Sequence, residues 1–253
     1  MKKLILAIMS AAIFASCSKE KTSVLSQPAQ EKKLKRTERV YNGGTPETTD
    51  FTYDSQGRLL TEITNDYLYK YSYPGSNQII VTKNDKTTNT IIGTTEYSVS
   101  GESRITNAII KNQAGSVTTT IDFAYDAQGY LKGVQYTYPN GTVHYYEYTI
   151  INGNYSTKKF YAGGMLSSTT VYTVNTSQPY VEIFTQGALF PSPTLFGKLT
   201  KNPVVELKTT DASGNVTWHT KTNYEFDAAG YVTKQTINFL HIGTQGQQIY
   251  SYE

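Results

Sequence analysis

Three segments of this chain follow one template: Tyr53-Asp54-Ser55-Gln56-Gly57-Arg58-Leu59, Tyr125-Asp126-Ala127-Gln128-Gly129-Tyr130-Leu131 and Phe226-Asp227-Ala228-Ala229-Gly230-Tyr231-Val232. The order is aromatic, Asp, two small or polar residues, Gly, any residue, then Leu or Val. It suits a three-residue hairpin loop, in which a type I turn is followed by a left-handed residue in a bulge. Asp opens the turn by accepting hydrogen bonds from nearby amides, and Gly takes the positive φ without a Cβ penalty. Asp54 then opposes Arg58, so Tyr53 lies across from Leu59 on one face as an aromatic–aliphatic pair. Tyr125 with Leu131 and Phe226 with Val232 follow by the same count. Asp54, Gly57, Asp126, Gly129, Asp227 and Gly230 are therefore read as structural turn residues. As calcium ligands the aspartates fail, because each motif offers one carboxylate where six or more oxygens are needed.

Between these turns, short apolar-periodic runs recur at roughly 10-residue spacing, the signature of an antiparallel β protein. Val117-Thr118-Thr119-Thr120-Ile121-Asp122-Phe123-Ala124-Tyr125 puts Val117, Ile121, Phe123 and Tyr125 on one face, and Thr118, Thr120 and Asp122 on the other. No stretch beyond the first residues holds helical periodicity for three turns. The 22 Tyr and 9 Phe, with abundant Thr, Val and Ile, favour a pleated, half-buried surface. The expected fold is all-β, a single antiparallel meander forming a closed or nearly closed, strongly curved barrel-like sheet. One segment breaks the alternation: Gln186-Gly187-Ala188-Leu189-Phe190-Pro191-Ser192-Pro193-Thr194-Leu195-Phe196-Gly197-Lys198-Leu199. Its prolines exclude a central strand, yet it is too apolar to stand in solvent, so a lid or plug loop is expected near residues 186–203.

The amino terminus carries a different signal. Lys2 and Lys3 precede an apolar run from Leu4 to Phe14, then Ala15-Ser16, then Cys17, the only cysteine. That layout is a secretory signal peptide, too short to span a bilayer. The cysteine after small residues resembles a bacterial lipobox. The resemblance implies cleavage before Cys17, acylation of Cys17 by palmitate or a similar chain, and anchoring by lipid rather than by a helix. The expected organisation is a signal peptide over 1–16, a lipidated flexible tether over 17–36 containing the basic Lys32-Lys33-Leu34-Lys35-Arg36, and a β domain over 37–253. Loss of Lys2 and Lys3 from 23 basic residues leaves 21 against 20 acidic ones, so no electrostatic case for nucleic acid exists.

Two resemblances attach to these residues. The Tyr-Asp-x-x-Gly turns resemble those of YD repeats, which build extended antiparallel sheets in secreted shells. The lipobox, the tether, the widely spaced turns and Phe196-Gly197-Lys198-Leu199-Thr200-Lys201-Asn202-Pro203 together are similar to Bacteroidetes lipoproteins of the domain of unknown function 4595 family, whose fold is porin-like. This implies an outer-membrane location, facing the periplasm or the cell surface, and brings no catalytic residues with it.

Candidate binding residues come from hairpin register. Asn140-Gly141, read as a two-residue loop, pairs Tyr138 with Val143, Thr137 with His144 and Tyr136 with Tyr145. Ile121, Phe123, Tyr125, Leu131, Tyr146, Tyr148 and Ile150 then form the core face, while Tyr136, Tyr138 and Tyr145 share the opposite, polar face. They are candidates for stacking a sugar ring, against the competing reading of sheet stabilisation by cross-strand pairs. Trp218 is a further candidate. His144, His219 and His241 are too scattered in sequence to imply a metal site, and no catalytic motif spacing occurs. No cofactor is expected. The preferred function is a non-enzymatic binding or structural lipoprotein held at a membrane through Cys17; the alternatives are a glycan-binding surface lipoprotein and a porin-like pore. Expected partners are the membrane, and a glycan or another envelope protein.

Overall fold

The computed structural model describes residues 32–178 and 193–253. Cys17, most of the tether and residues 186–192 of the expected lid lie outside them. Sixteen strands follow in order among the described residues: β1 (Leu34–Tyr41), β2 (Glu47–Tyr53), β3 (Leu59–Ile63), β4 (Tyr67–Gly75), β5 (Gln78–Asp85), β6 (Ile91–Val99), β7 (Ile105–Asn112), β8 (Val117–Tyr125), β9 (Leu131–Thr137), β10 (Val143–Ile151), β11 (Asn154–Ala162), β12 (Met165–Val174), β13 (Val204–Asp211), β14 (Val216–Phe226), β15 (Val232–Phe239) and β16 (Thr244–Tyr252). Each pairs antiparallel with the next, and β1 pairs with β16, so the meander closes into a barrel. One helical feature is described, a 3-10 turn at Pro193–Phe196. β1 opens at Leu34, inside the stretch expected to be tether: Leu34 is buried opposite Tyr252, and Arg36 pairs with Asp50 at 2.6 Å.

Turn chemistry fixes the register. Tyr53 opposes Leu59, Tyr125 opposes Leu131 and Phe226 opposes Val232, as counted from the sequence. In the first turn Gly57 N donates to Asp54 O at 3.0 Å, and Asp54 Oδ1 accepts from the amides of Gln56 and Arg58. Asp126 and Asp227 accept the corresponding pairs. Gly57, Gly129 and Gly230 sit at φ 83°, 90° and 88°. The same backbone arrangement recurs at Ser100–Arg104, Asn112–Ser116, Tyr138–Thr142 and Asp211–Asn215. In most of these hairpins a one-residue register shift follows on the outgoing strand. Where the bulged residue is threonine its hydroxyl bonds a carbonyl of the partner strand, as Thr118 does to Ile110 O and Thr233 to Glu225 O.

The Tyr138–Thr142 turn corrects one expectation. Tyr138 N bonds Thr142 O, Gly141 alone takes positive φ, and Val143 opposes Thr137, His144 opposes Tyr136 and Tyr145 opposes Gln135. The two-residue loop fails because Pro139 would have to donate a ladder hydrogen bond, and it has no N–H; at the first corner of a type I turn its fixed φ is an advantage. A one-residue slip reverses the faces. The bulge after Leu131 sets Tyr136 opposite the inward Ile121, so Tyr136 joins Tyr146 inside the barrel, while Tyr145 stands outside, its ring lying over Gly133.

All three motif turns, the start of β1 and the end of β16 lie at one end of the barrel, termed here the motif end. Inward side chains there form the core: Leu34, Leu59, Ile79, Tyr97, Ile105, Ile121 and Val232 are buried. Tyrosine hydroxyls close the carbonyls of the strands that begin at that end. Tyr53 bonds Leu34 O, Tyr73 bonds Leu59 O, Tyr125 bonds Ile105 O, Tyr224 bonds Val204 O and Tyr252 bonds Val232 O, at 2.6–2.8 Å. Of the expected lid segment, the described part crosses this end. Phe196 is buried against Phe123 with ring centroids 5.2 Å apart, Lys198 N bonds Gly129 O, and Asn202 is held by Asn154 through its amide N and its side chain.

Candidate functional site

The two faces of the wall differ in chemistry. Following the ladder, outward-facing positions place Arg36 beside Asp50, Thr61 beside Lys70, Glu96 beside Ile109, Asp122 beside Gln135, Glu147 beside Lys159, Lys208 beside His219 and Glu225 beside Lys234. Several of these positions are tied together, Lys111 with Glu96 at 2.6 Å and Lys234 with Glu225 at 3.3 Å by ion pairs and His219 with Glu206 at 2.7 Å by a hydrogen bond. Glu206 is held below the usual carboxylate range, first by the His219 hydrogen bond and further by the nearby lysine charges. Thr52 and Thr61 share a hydroxyl hydrogen bond. Charge therefore runs around the outside of the barrel.

The inner face is not uniform. Along β2–β8 it is packed: Glu62, Val81, Tyr97 and Ala108 are each 1% exposed or less. Tyr71 donates to Glu62 Oε2 at 2.9 Å there, and burial together with the Glu62 charge pushes its phenol far up. Along β10–β13 the inward residues are mostly half-buried: His144, Tyr146, Tyr148, Lys158, Phe160, Tyr172 and Leu207 all retain exposure, with Thr170 as the buried exception.

That half-open wall is aromatic. Tyr146 stacks on Phe160 at 4.8 Å and 23°, His144 meets Phe160 edge-on at 5.3 Å, and Tyr136 meets Tyr146 at 5.8 Å. Tyr138 packs on His144 at 5.1 Å and its hydroxyl lies 3.4 Å from Nδ1. Further along the wall, Tyr148 contacts Tyr155 at 5.5 Å. Burial raises the phenols of Tyr136, Tyr146 and Tyr148, and Tyr172 is pushed up to about 12 by burial and by the neighbouring Tyr155. Unlike the tyrosines at the motif end, Tyr136, Tyr146, Tyr148 and Tyr172 donate no hydroxyl hydrogen bond to a described residue. Buried or half-buried hydroxyls are ordinarily partnered, so four on one wall mark a surface prepared for a polar ligand or for water.

The candidates read from sequence are therefore divided. Tyr136 and Tyr138 stand on this wall, and Tyr145 stands on the outside against Tyr161 at 6.1 Å. Trp218 is 42% exposed at the rim opposite the motif end, its ring 4.3 Å from that of His241. Tyr146, Phe160, Tyr172 and Lys158 do not stand out as binding residues in the sequence. Their placement follows from the register of β10–β12, set by the tight turns at Asn152-Gly153 and Gly163-Gly164 and by the register shifts beside them. His219 N approaches His241 Nδ1 at 3.3 Å, but no group of three metal-ligating side chains occurs among the described residues.

No family model matches the chain, and no curated protein matches it by sequence. Solved structures do. A porin-like protein from Bacteroides uniformis superposes with a TM-score of 0.67 at 14% identity, over 87% of this chain and 98% of the other. A porin-like protein from Bacteroides vulgatus gives 0.63 at 12% identity, over 88% and 99%. The likeness is one of fold: an all-β, antiparallel, porin-like barrel.

Proposed function

We propose that this chain is a lipid-anchored outer-membrane protein whose barrel stands in water and binds a glycan on the inner wall of β9–β12, without catalysing a reaction. The observation that carries the binding site is the group of half-buried tyrosines whose hydroxyls are not used by the described fold. Tyrosine offers a sugar an apolar face to stack on and a hydroxyl to bond. Acylation at Cys17 supplies the anchor in this reading, and the shared fold with Bacteroides proteins supports an envelope location and the resemblance to lipoproteins of the domain of unknown function 4595 family.

The porin-like fold also suggests a pore, and the outer wall argues against it. A membrane barrel carries an apolar band about 25 Å tall, and Lys or Arg on its lipid face costs roughly 2–4 kcal/mol near the midplane. Arg36, Lys70, Lys111, Lys159, Lys208, Lys221 and Lys234 all lie on the outer face. The packed interior along β2–β8 also departs from the open lumen of large barrels.

The test combines solubility and binding. Residues 33–253, which form one compact unit, should be monodisperse without detergent and give no conductance in planar bilayers. Binding of the same unit to a glycan array should fall about tenfold or more when Tyr146 and Phe160 are both changed to Ala, and stay unchanged in Tyr145→Ala. A requirement for detergent, or glycan binding indifferent to the inner pair, would sink the reading.

A further inference from the structure

The aromatic wall holds one cation among its described residues, Lys158. By register it lies between Tyr148 and Thr170, both inward, and its Nζ is 5.5 Å from the Tyr146 ring centroid. The inward cations Arg39 and Lys83 have evident roles: Arg39 bonds Gln248 Oε1, and Lys83 sits 3.6 Å over Tyr67. On the outer wall Lys111 and Lys234 are paired with glutamates. Lys158 forms no ion pair and no hydrogen bond with any described residue. A half-buried ammonium without a counter-ion is costly, and such groups are normally paired or hydrogen-bonded. Its desolvation lowers its proton affinity, which a bound anion would restore.

The surroundings of Lys158 limit what that anion is attached to. The stacked Tyr146–Phe160 pair provides a flat apolar surface directly beside it, and Thr170 and Thr209, joined by a 2.8 Å hydroxyl hydrogen bond, offer neutral polar contacts on the next strands. Among the described residues of this wall there is no arginine fork and no helix N-terminus of the kind that receives a phosphate dianion. One point charge beside an aromatic platform matches a ring that is apolar on its face and carries a single negative charge on its edge.

We infer that the inner-wall site takes an acidic sugar, with Lys158 receiving the carboxylate or sulfate while the Tyr146–Phe160 face carries the ring. This rests on the glycan reading above and adds the charge of the ligand to it. A charge-assisted hydrogen bond in a partly desolvated site is worth about tenfold in affinity.

The experiment is calorimetric titration of the full chain with oligomeric uronates, with their methyl esters, and with sulfated and unsulfated forms of one neutral oligosaccharide. An acidic form should bind about tenfold more tightly than its neutral counterpart, and the carboxylate and sulfate arms identify the source of the charge. Lys158→Gln should abolish that preference, so that acidic and neutral forms bind the variant alike, and Lys158→Arg should keep it. Equal binding of acidic and neutral forms, or an unchanged preference in Lys158→Gln, overturns the inference and leaves the glycan reading standing. Failure of every sugar to bind overturns the glycan reading itself, and this inference with it.

Discussion

The tyrosines divide by what their hydroxyls do. Those at the motif end, such as Tyr125 with its 2.6 Å bond to Ile105 O, close carbonyls at the starts of strands. Those on the inner wall of β9–β12, such as Tyr146, donate to no described residue. Removing a used hydroxyl strands a carbonyl and costs about 1–2 kcal/mol, whereas removing an unused one costs almost nothing. Tyr125→Phe is therefore expected to lower the melting temperature by about 3–6 °C, taking roughly 2–4 °C per kcal/mol for a domain of this size, and Tyr146→Phe by less than about 1 °C. Equal shifts in thermal unfolding would count against the division. Composition reports the abundance of tyrosine and not this split, because the partner of each used hydroxyl is a backbone atom at the start of the preceding strand, 14–20 residues back in the chain.

Hairpins are the most legible elements. An Asp four residues before its closing partner and a Gly between them state the loop length outright, which is why Tyr53–Leu59, Tyr125–Leu131 and Phe226–Val232 can be paired by counting. At Tyr138–Thr142 the Asn-Gly pair points to a two-residue loop and Pro139 overrides it: the missing N–H of one proline breaks the expected pairing of Tyr136 with Tyr145, and Tyr136 and Tyr138 stand inside the wall while Tyr145 stays outside. The connection after β12 is the reverse case, where tertiary contact gives a residue its meaning. Gly197 has φ 85°, and a Cβ there would fall on Gly129 O and the Tyr125 ring. Gly197→Ala should cost about 2–4 kcal/mol through strain and displacement of Phe196, read as a fall in denaturation midpoint. A loss below about 0.5 kcal/mol, the range of an ordinary surface substitution, would show that the crossing segment is not seated on the Gly129 turn.

Taken as one body, the barrel is charged without and packed within along β2–β8. Its many buried phenols give it an alkaline limit. Tyr69, Tyr73 and Tyr155 are each pushed up to about 12, mainly by burial. Because the folded values lie above the unfolded value of about 10, the stabilisation is complete below pH 10 and is lost as pH rises through 12. Absorbance at 295 nm should therefore show surface tyrosines ionising near pH 10 and a second group ionising steeply at higher pH, together with loss of near-ultraviolet circular dichroism. A smooth titration of all 22 tyrosines near pH 10 with the fold intact would contradict the packed interior.

The all-β class, the meander, the motif turns and the lipobox-like layout at Cys17 can be read along the chain, because each is written in residues within about ten positions of one another. Closure of the sheet through β1 and β16, the packing of Phe196 into the motif end and the placement of Lys158 beside Tyr146 and Phe160 emerge only in three dimensions. They depend on which of two faces points inward and on contacts between distant strands. Strand alternation is symmetric between the faces until closure buries one of them.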